Sequence, residues 1–134
     1  MNKIIINAEL INYGRLCSYI AKKALEGNEV IVLNSEKVLI SGNKKDIIKK
    51  YSTLKKKGGR SLKGPKISRI PFKFLKRGIR GMLPDHRKGI GKIAFSKIRC
   101  YNGIPEEFKM EKTIKIKIKE YNKCITLKEL LDNL

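Results

Sequence analysis

Residues 44 to 99 carry Lys or Arg at 20 positions and an acid only at Asp46 and Asp85. The rest of the chain has 12 basic and 10 acidic residues, so nearly all of the formal net charge of +20 sits in this middle segment. A one-signed field of that size speeds association with anionic partners and opposes compaction by self-repulsion until a counter-charge arrives. Solvated faces ordinarily mix signs, as the flanks do here, so the pattern points to a polyanion partner rather than to solubility alone. The chemistry on offer is the holding of phosphates. Lysines act as point charges, arginines can fork onto the oxygens, and glycines let a main chain come close.

Residues able to make or break bonds are few. His86 is the only histidine and Asp85 the one carboxylate beside it in sequence, which falls short of what general acid–base catalysis requires. A loop residue that touches a phosphate or nothing is the plainer reading of His86. Glu106 and Glu107 are sequence neighbours that point apart, which suits a solvated loop better than a carboxylate pair. Cys17, Cys100 and Cys124 are odd in number and widely spaced, so neither a disulfide framework nor a metal site is expected, and a reducing cytosol suits them. Gly89-Ile90-Gly91-Lys92-Ile93-Ala94 has the spacing of the dinucleotide fingerprint but follows the proline-broken, charged stretch 84–88 instead of a strand. A glycine turn allowing close approach to a backbone is expected there. No Gly-x-x-x-x-Gly-Lys-Ser/Thr occurs. Neither an enzyme, nor a cofactor, nor a small-molecule substrate is expected.

The polyanion can be narrowed somewhat. Helix-turn-helix and zinc-finger signatures are missing, as is a run of aromatics for stacking single-stranded bases. Recognition by backbone and shape is therefore expected, and a folded RNA, which gathers phosphates from different strands, suits a basic loop with two basic helices. The stretch from Phe72 to Leu83 also resembles a membrane-surface helix, but its apolar stripe is better used in a core, and no apolar run reaches membrane length.

The elements that must position these residues follow from apolar periodicity. Lys3 to Ile6 and Val30 to Leu33 read as buried strands, and between them Leu16, Cys17, Ile20, Ala21 and Ala24 mark one helical face, stopped at Gly27. Strand, helix, strand makes a βαβ unit and hence a parallel sheet with right-handed connection. Val38-Leu39-Ile40 is either a third strand or the packed entry to a helix. Ile47, Ile48, Tyr51 and Leu54 predict a helix crowded with lysines, and 58–66 reads as a basic loop that orders only on a partner. A further helix is expected from an N-cap at Ser68 toward Met82, with Phe72, Leu75, Ile79 and Leu83 as its apolar stripe and Arg69, Lys73, Lys76 and Arg80 as a basic stripe beside it. After Pro84 come a third basic helix with Ile90, Ile93, Ala94 and Phe95, then a strand from Ile98 to Tyr101. Ile114, Ile116 and Ile118 alternate with lysines as in a half-exposed strand, and Thr126 caps a short terminal helix. At 134 residues the chain fits one domain, 1–134, large enough to hold a core without staples.

Several segments are familiar in order and spacing: Gly14-Arg15-Leu16, Asn34-x-Glu36-Lys37-x-x-Ile40-Ser41-Gly42, Arg80-Gly81-Met82-Leu83-Pro84, and Arg99-x-Tyr101-x-Gly103-Ile104-Pro105. Over roughly residues 3 to 105 the chain resembles the L-thirteen family of large-ribosomal-subunit proteins, and its archaeal and eukaryotic branch in particular. The resemblance implies an α/β fold, a three-layer α/β/α arrangement with a small, mainly parallel sheet of about four strands plus a basic loop and helical extension. It implies a structural constituent of the large subunit that binds 23S-type rRNA and supports assembly. It would sit in the cytoplasm among neighbouring large-subunit proteins, without enzymatic activity and without forming a homo-oligomer. Carried onto this sequence, the RNA contacts are Arg60, Lys63 and Lys66 in the loop, Arg69, Lys73, Lys76, Arg77 and Arg80 on the central helix, Gly81 as a point of close approach, and His86, Arg87, Lys88 and Lys92 beyond it. Gly14-Arg15 is a secondary contact. The alternative is a free-standing RNA- or DNA-binding regulator outside the ribosome.

Overall fold

The computed structural model describes residues 2–58, 64–114, 116 and 123–134. The two β-branched runs form strands β1 (Lys3–Asn7) and β2 (Glu29–Leu33), joined by helix α1 (Tyr13–Leu25). Asn12 caps α1 by accepting the Gly14 N–H, and Gly27 at φ 98° ends it in the left-handed conformation that glycine adopts freely. Strand β3 (Leu39–Ser41) resolves the open reading at Val38–Ile40. Helices α2 (Lys44–Lys56), α3 (Pro71–Gly81) and α4 (Gly89–Ser96) follow, then β4 (Ile98–Cys100), β5 (Cys124–Thr126) and α5 (Leu127–Asp132).

The main sheet has the order β1-β2-β4, parallel throughout, with Val30 opposite both Ile4 and Ile98. Ile114 extends it by one bridge to Ile6, while β3 and β5 form a separate antiparallel pair. Strand order that never reverses, combined with right-handed crossovers, sends every connecting helix to the same face. The core agrees. Ile6, Val30, Val32, Ile98 and Cys100 pack with Leu16 and Ile20 of α1, Leu75 and Ile79 of α3 and Ala94 of α4. On the opposite face Ile5, Ile31 and Leu33 are covered by Phe108, from a 3-10 turn at Glu106–Phe108. The predicted α/β class with a small, mainly parallel sheet is thus observed, its second outer layer being thin.

Two details of the helix reading are corrected. Ser68 is not the N-cap of α3: its hydroxyl accepts the Ile70 N–H, and the helix starts at Pro71 with Ile70 in the capping position. Proline fixes φ for the first helical position and forces its predecessor into extended backbone, so the start falls at the ring. The buried residues are then Phe74, Leu75 and Ile79, with Phe72 and Leu83 only half-buried. At the C-terminus Thr126 caps α5, accepting the Glu129 N–H, as expected. The Ile114–Ile118 strand lies mostly outside the described residues.

Candidate nucleic-acid interface

Helix α3 is held from three sides. Phe74 lies between Tyr13 of α1 and Tyr51 of α2, with ring centroids 5.7 and 5.4 Å away. Gly78 makes room for the Tyr13 hydroxyl, which would lie 1.8 Å from a Cβ there. At the helix start, the Phe72 N–H donates to Asn102 Oδ1 at 3.2 Å. This docking leaves Lys73 and Arg80 exposed and Lys76 and Arg77 half-buried.

Lys76 places its ammonium 4.8 Å from the centroid of Phe95 on α4, and the His86 ring packs against the same phenyl at 5.9 Å. The residues Lys76, Phe95 and His86 therefore join α3, α4 and the turn between them into one surface. Arg77 donates to the main-chain carbonyl of Lys66, tying the end of the basic loop to α3. In the turn, Asp85 accepts the Arg87 N–H at 3.0 Å. Gly89 takes φ 63°, and a Cβ on Gly91 would stand 2.3 Å from the Pro84 carbonyl oxygen. The Gly-x-Gly pattern is thus a close-packed turn, as its lack of a preceding strand implied. Arg87, Lys88 and Lys92 project outward around the start of α4, whose first turn carries no acid and no side-chain cap. Its helix dipole adds to their field. Ile90 and Ile93 of α4 are exposed, and only Gly91 and Ala94 are buried.

Arg69 stands apart from this surface, at the other end of α3, in a groove it shares with Glu36, Asn102, Lys128 and Asp132. Lys66 is exposed next to the Arg77 contact, and Gly81 is exposed at the end of α3. Arg60 and Lys63 lie outside the described residues. Phe95, the shared platform under Lys76 and His86, is a part of the site that the sequence does not mark out. Its only signal in the sequence is an aromatic among cations.

The electrostatics separate the middle segment from the rest. Among the described residues the ion pairs are Lys23–Glu26 at 3.5 Å, Lys37–Glu9 at 3.9 Å and Lys44–Glu129 at 2.5 Å. Only Lys44 belongs to the basic segment. Among the described residues the cations of α3, the turn and α4 therefore have no carboxylate partner; Lys73, Arg80, Arg87, Lys88 and Lys92 face solvent, while Lys76 rests on Phe95 and Arg77 on the Lys66 carbonyl.

Elsewhere the groups suited to other chemistry are occupied. Burial pushes the Cys17 and Cys100 thiols up to about 12, which keeps them protonated and unreactive near neutral pH. At the carboxyl ends of the parallel strands, where α/β sheets take ligands, Asn34 Nδ2 donates to Asn7 Oδ1 at 2.9 Å and the Gly103 N–H donates to Glu36 Oε2 at 2.9 Å. Asn102, in the same place, is bonded to α3. No cluster of three or more metal-capable side chains occurs among the described residues, and no described helix is long and apolar enough to cross a membrane.

Comparison with known proteins agrees with this picture. The family model described as Ribosomal protein L13 matches residues 1–107. The large ribosomal subunit protein uL13 of Methanocaldococcus jannaschii is 39% identical over 133 residues, covering 97% of this chain and 96% of the relative. That of Methanococcus maripaludis is 44% identical over 106 residues, 77% of each chain, and that of Archaeoglobus fulgidus is 35% identical over 132 residues, 94% of this chain and 83% of the relative. With four-fifths of its length matched by the family model and close relatives spanning nearly all of it, this chain belongs to the ribosomal protein L13 family.

Proposed function

We propose that this chain is a structural constituent of the large ribosomal subunit that binds 23S-type rRNA, mainly through the phosphate backbone, and supports subunit assembly in the cytoplasm. One observation carries the reading beyond family membership: the described cations of α3, the following turn and α4 lie on adjoining elements without carboxylate partners among the described residues. Taking such a field to phosphates releases condensed counterions and removes the self-repulsion.

The residues divide by task. Lys73, Arg80, Arg87, Lys88 and Lys92 are exposed and meet phosphates directly. Lys76 and His86 do so from a surface stiffened by Phe95, which lowers the entropy lost when RNA arrives. Arg77 fixes the main chain at Lys66, and Arg60, Lys63 and Lys66 are the loop's contacts with the same ligand. Arg69 serves the far end of α3, and Gly81 admits the RNA closely. The protein acts as a single copy, flanked by other large-subunit proteins.

Sedimentation of a cell lysate tests this reading. The protein is expected to pellet with large subunits and to leave them only in high salt. Recovery in the soluble fraction at low salt would favour a free-standing nucleic-acid-binding regulator instead.

A further inference from the structure

Aromatic residues are scattered along the sequence, and no run of them marks a place for a base to stack. The fold gathers three. Tyr13 of α1, Tyr51 of α2 and Phe74 of α3 wall one open cavity of about 280 Å³, completed by Leu54, Ile67 and Arg77. That volume lies just below the range of drug-sized sites and is scaled to one small planar ring system. Both tyrosines are only half-buried, so part of each ring stays uncovered. Arg77 is a fixed wall here, because its guanidinium is already engaged with the Lys66 carbonyl.

The surroundings of the opening say what kind of ligand fits. Lys66 is exposed between the wall residues Pro65 and Ile67, and on α2 Lys50 sets its ammonium 5.5 Å from the Tyr51 ring centroid. Lys50 and Lys57 line the adjoining groove, which shares Leu54 with the cavity and has Asp46 as its one acid. None of these lysines has a carboxylate partner among the described residues. An aromatic hollow between cations on two elements suits a ligand that is flat and apolar at its centre and anionic on either side. An unpaired nucleotide within a strand has that form, and an aromatic wall accepts it because every base has a π-face. We propose that the cavity takes one unpaired base of the bound RNA, laid against the Tyr13 and Tyr51 rings, while its flanking phosphates meet Lys66 on one side and Lys50 and Lys57 on the other. This rests on the rRNA-binding reading, which is mainly one of backbone contacts, and adds to it a seat for a base and a contribution from α2.

Phosphate contacts and a seated base leave different marks on RNA. Purified large-subunit rRNA would be probed with and without protein by hydroxyl radicals, which report on the sugar–phosphate backbone, and by dimethyl sulfate, kethoxal and carbodiimide, which report on unpaired bases. The proteins compared are the wild type, Tyr51→Phe, which keeps the ring, and Tyr51→Leu, which removes it. Wild type and Tyr51→Phe are expected to protect the same unpaired base, whereas Tyr51→Leu at saturation leaves that base reactive with the backbone footprint intact, and binds roughly tenfold more weakly. Because Tyr51 also packs on Phe74, a second variant leaves it in place: Leu54→Trp sets the only tryptophan of the chain at the cavity wall. Its emission should be strongly quenched by saturating rRNA and not by polyphosphate, which offers phosphates without bases, nor by polyglutamate, which stands for an acidic protein segment. Base protections that survive in Tyr51→Leu, an emission unmoved by bound rRNA, or equal quenching by either of the other polyanions would overturn the inference while leaving the rRNA reading standing. A wild-type protein with no footprint of either kind would overturn both.

Discussion

The flanks and the middle of this chain use the same residue types for opposite ends. In the flanks, charge is nearly balanced and partly internal: Lys23 meets Glu26, Lys37 meets Glu9, and strands β1 and β2 are buried against α1. In the middle, Phe74, Leu75 and Ile79 join the same core, while the cations on the other side of α3 and around α4 find no carboxylate among the described residues. The difference teaches that the basic segment is not an appendage. Its apolar half is as structural as β2, and its cationic half is held in place by that half for something outside the molecule.

Substitutions can break this division or sharpen it. The largest effect is expected from Leu75→Ala, which removes a fully buried side chain of the basic segment and should cost about 2–5 kcal/mol in a denaturant titration. A cost near zero would mean that α3 is not part of the core. Next comes Gly78→Ala, one turn before Gly81, where the new methyl group collides with the Tyr13 hydroxyl. A loss of roughly 1–3 kcal/mol is expected, against none for Gly81→Ala, and equal melting temperatures for the two would erase the distinction between an internal and an external glycine. Lys44→Ala removes an exposed pair with Glu129 and should cost only about 0.2–1 kcal/mol, shrinking further in salt. The smallest effect on stability per site belongs to the triple change Lys73→Ala, Arg80→Ala, Lys92→Ala, within about 0.5 kcal/mol at each site by thermal melting. Its consequence should appear instead in the rRNA binding curve, as a salt slope shallower by about 2 to 3. A triple variant that melted early with its slope intact would place those cations among the structural residues.

Much of this division is visible in the residues themselves. Continuous β-branched runs gave β1 and β2 because a strand buried on both faces has no polar alternation, and α1 was legible from five apolar residues on one face. Two things were not. The phase of α3 depends on whether Ser68 or Pro71 begins it, and a polar cap is a weaker constraint than a ring that fixes φ. The pairing of β3 with β5 joins three-residue strands more than 80 residues apart, too short for any period to register. The candidate site shows the same limit. A count of cations locates the segment, but the contact of Lys76 with Phe95 and the bond from Arg77 to the Lys66 carbonyl exist only once α3, α4 and the loop are brought together.

The most direct test of the division is the salt dependence of binding between the wild-type protein and purified large-subunit rRNA. With on the order of six to ten phosphates neutralised, affinity should fall by roughly a thousandfold or more between 50 and 200 mM salt. An affinity that hardly moves across that range would contradict the account, because the cations of the middle segment would then be facing no phosphates at all.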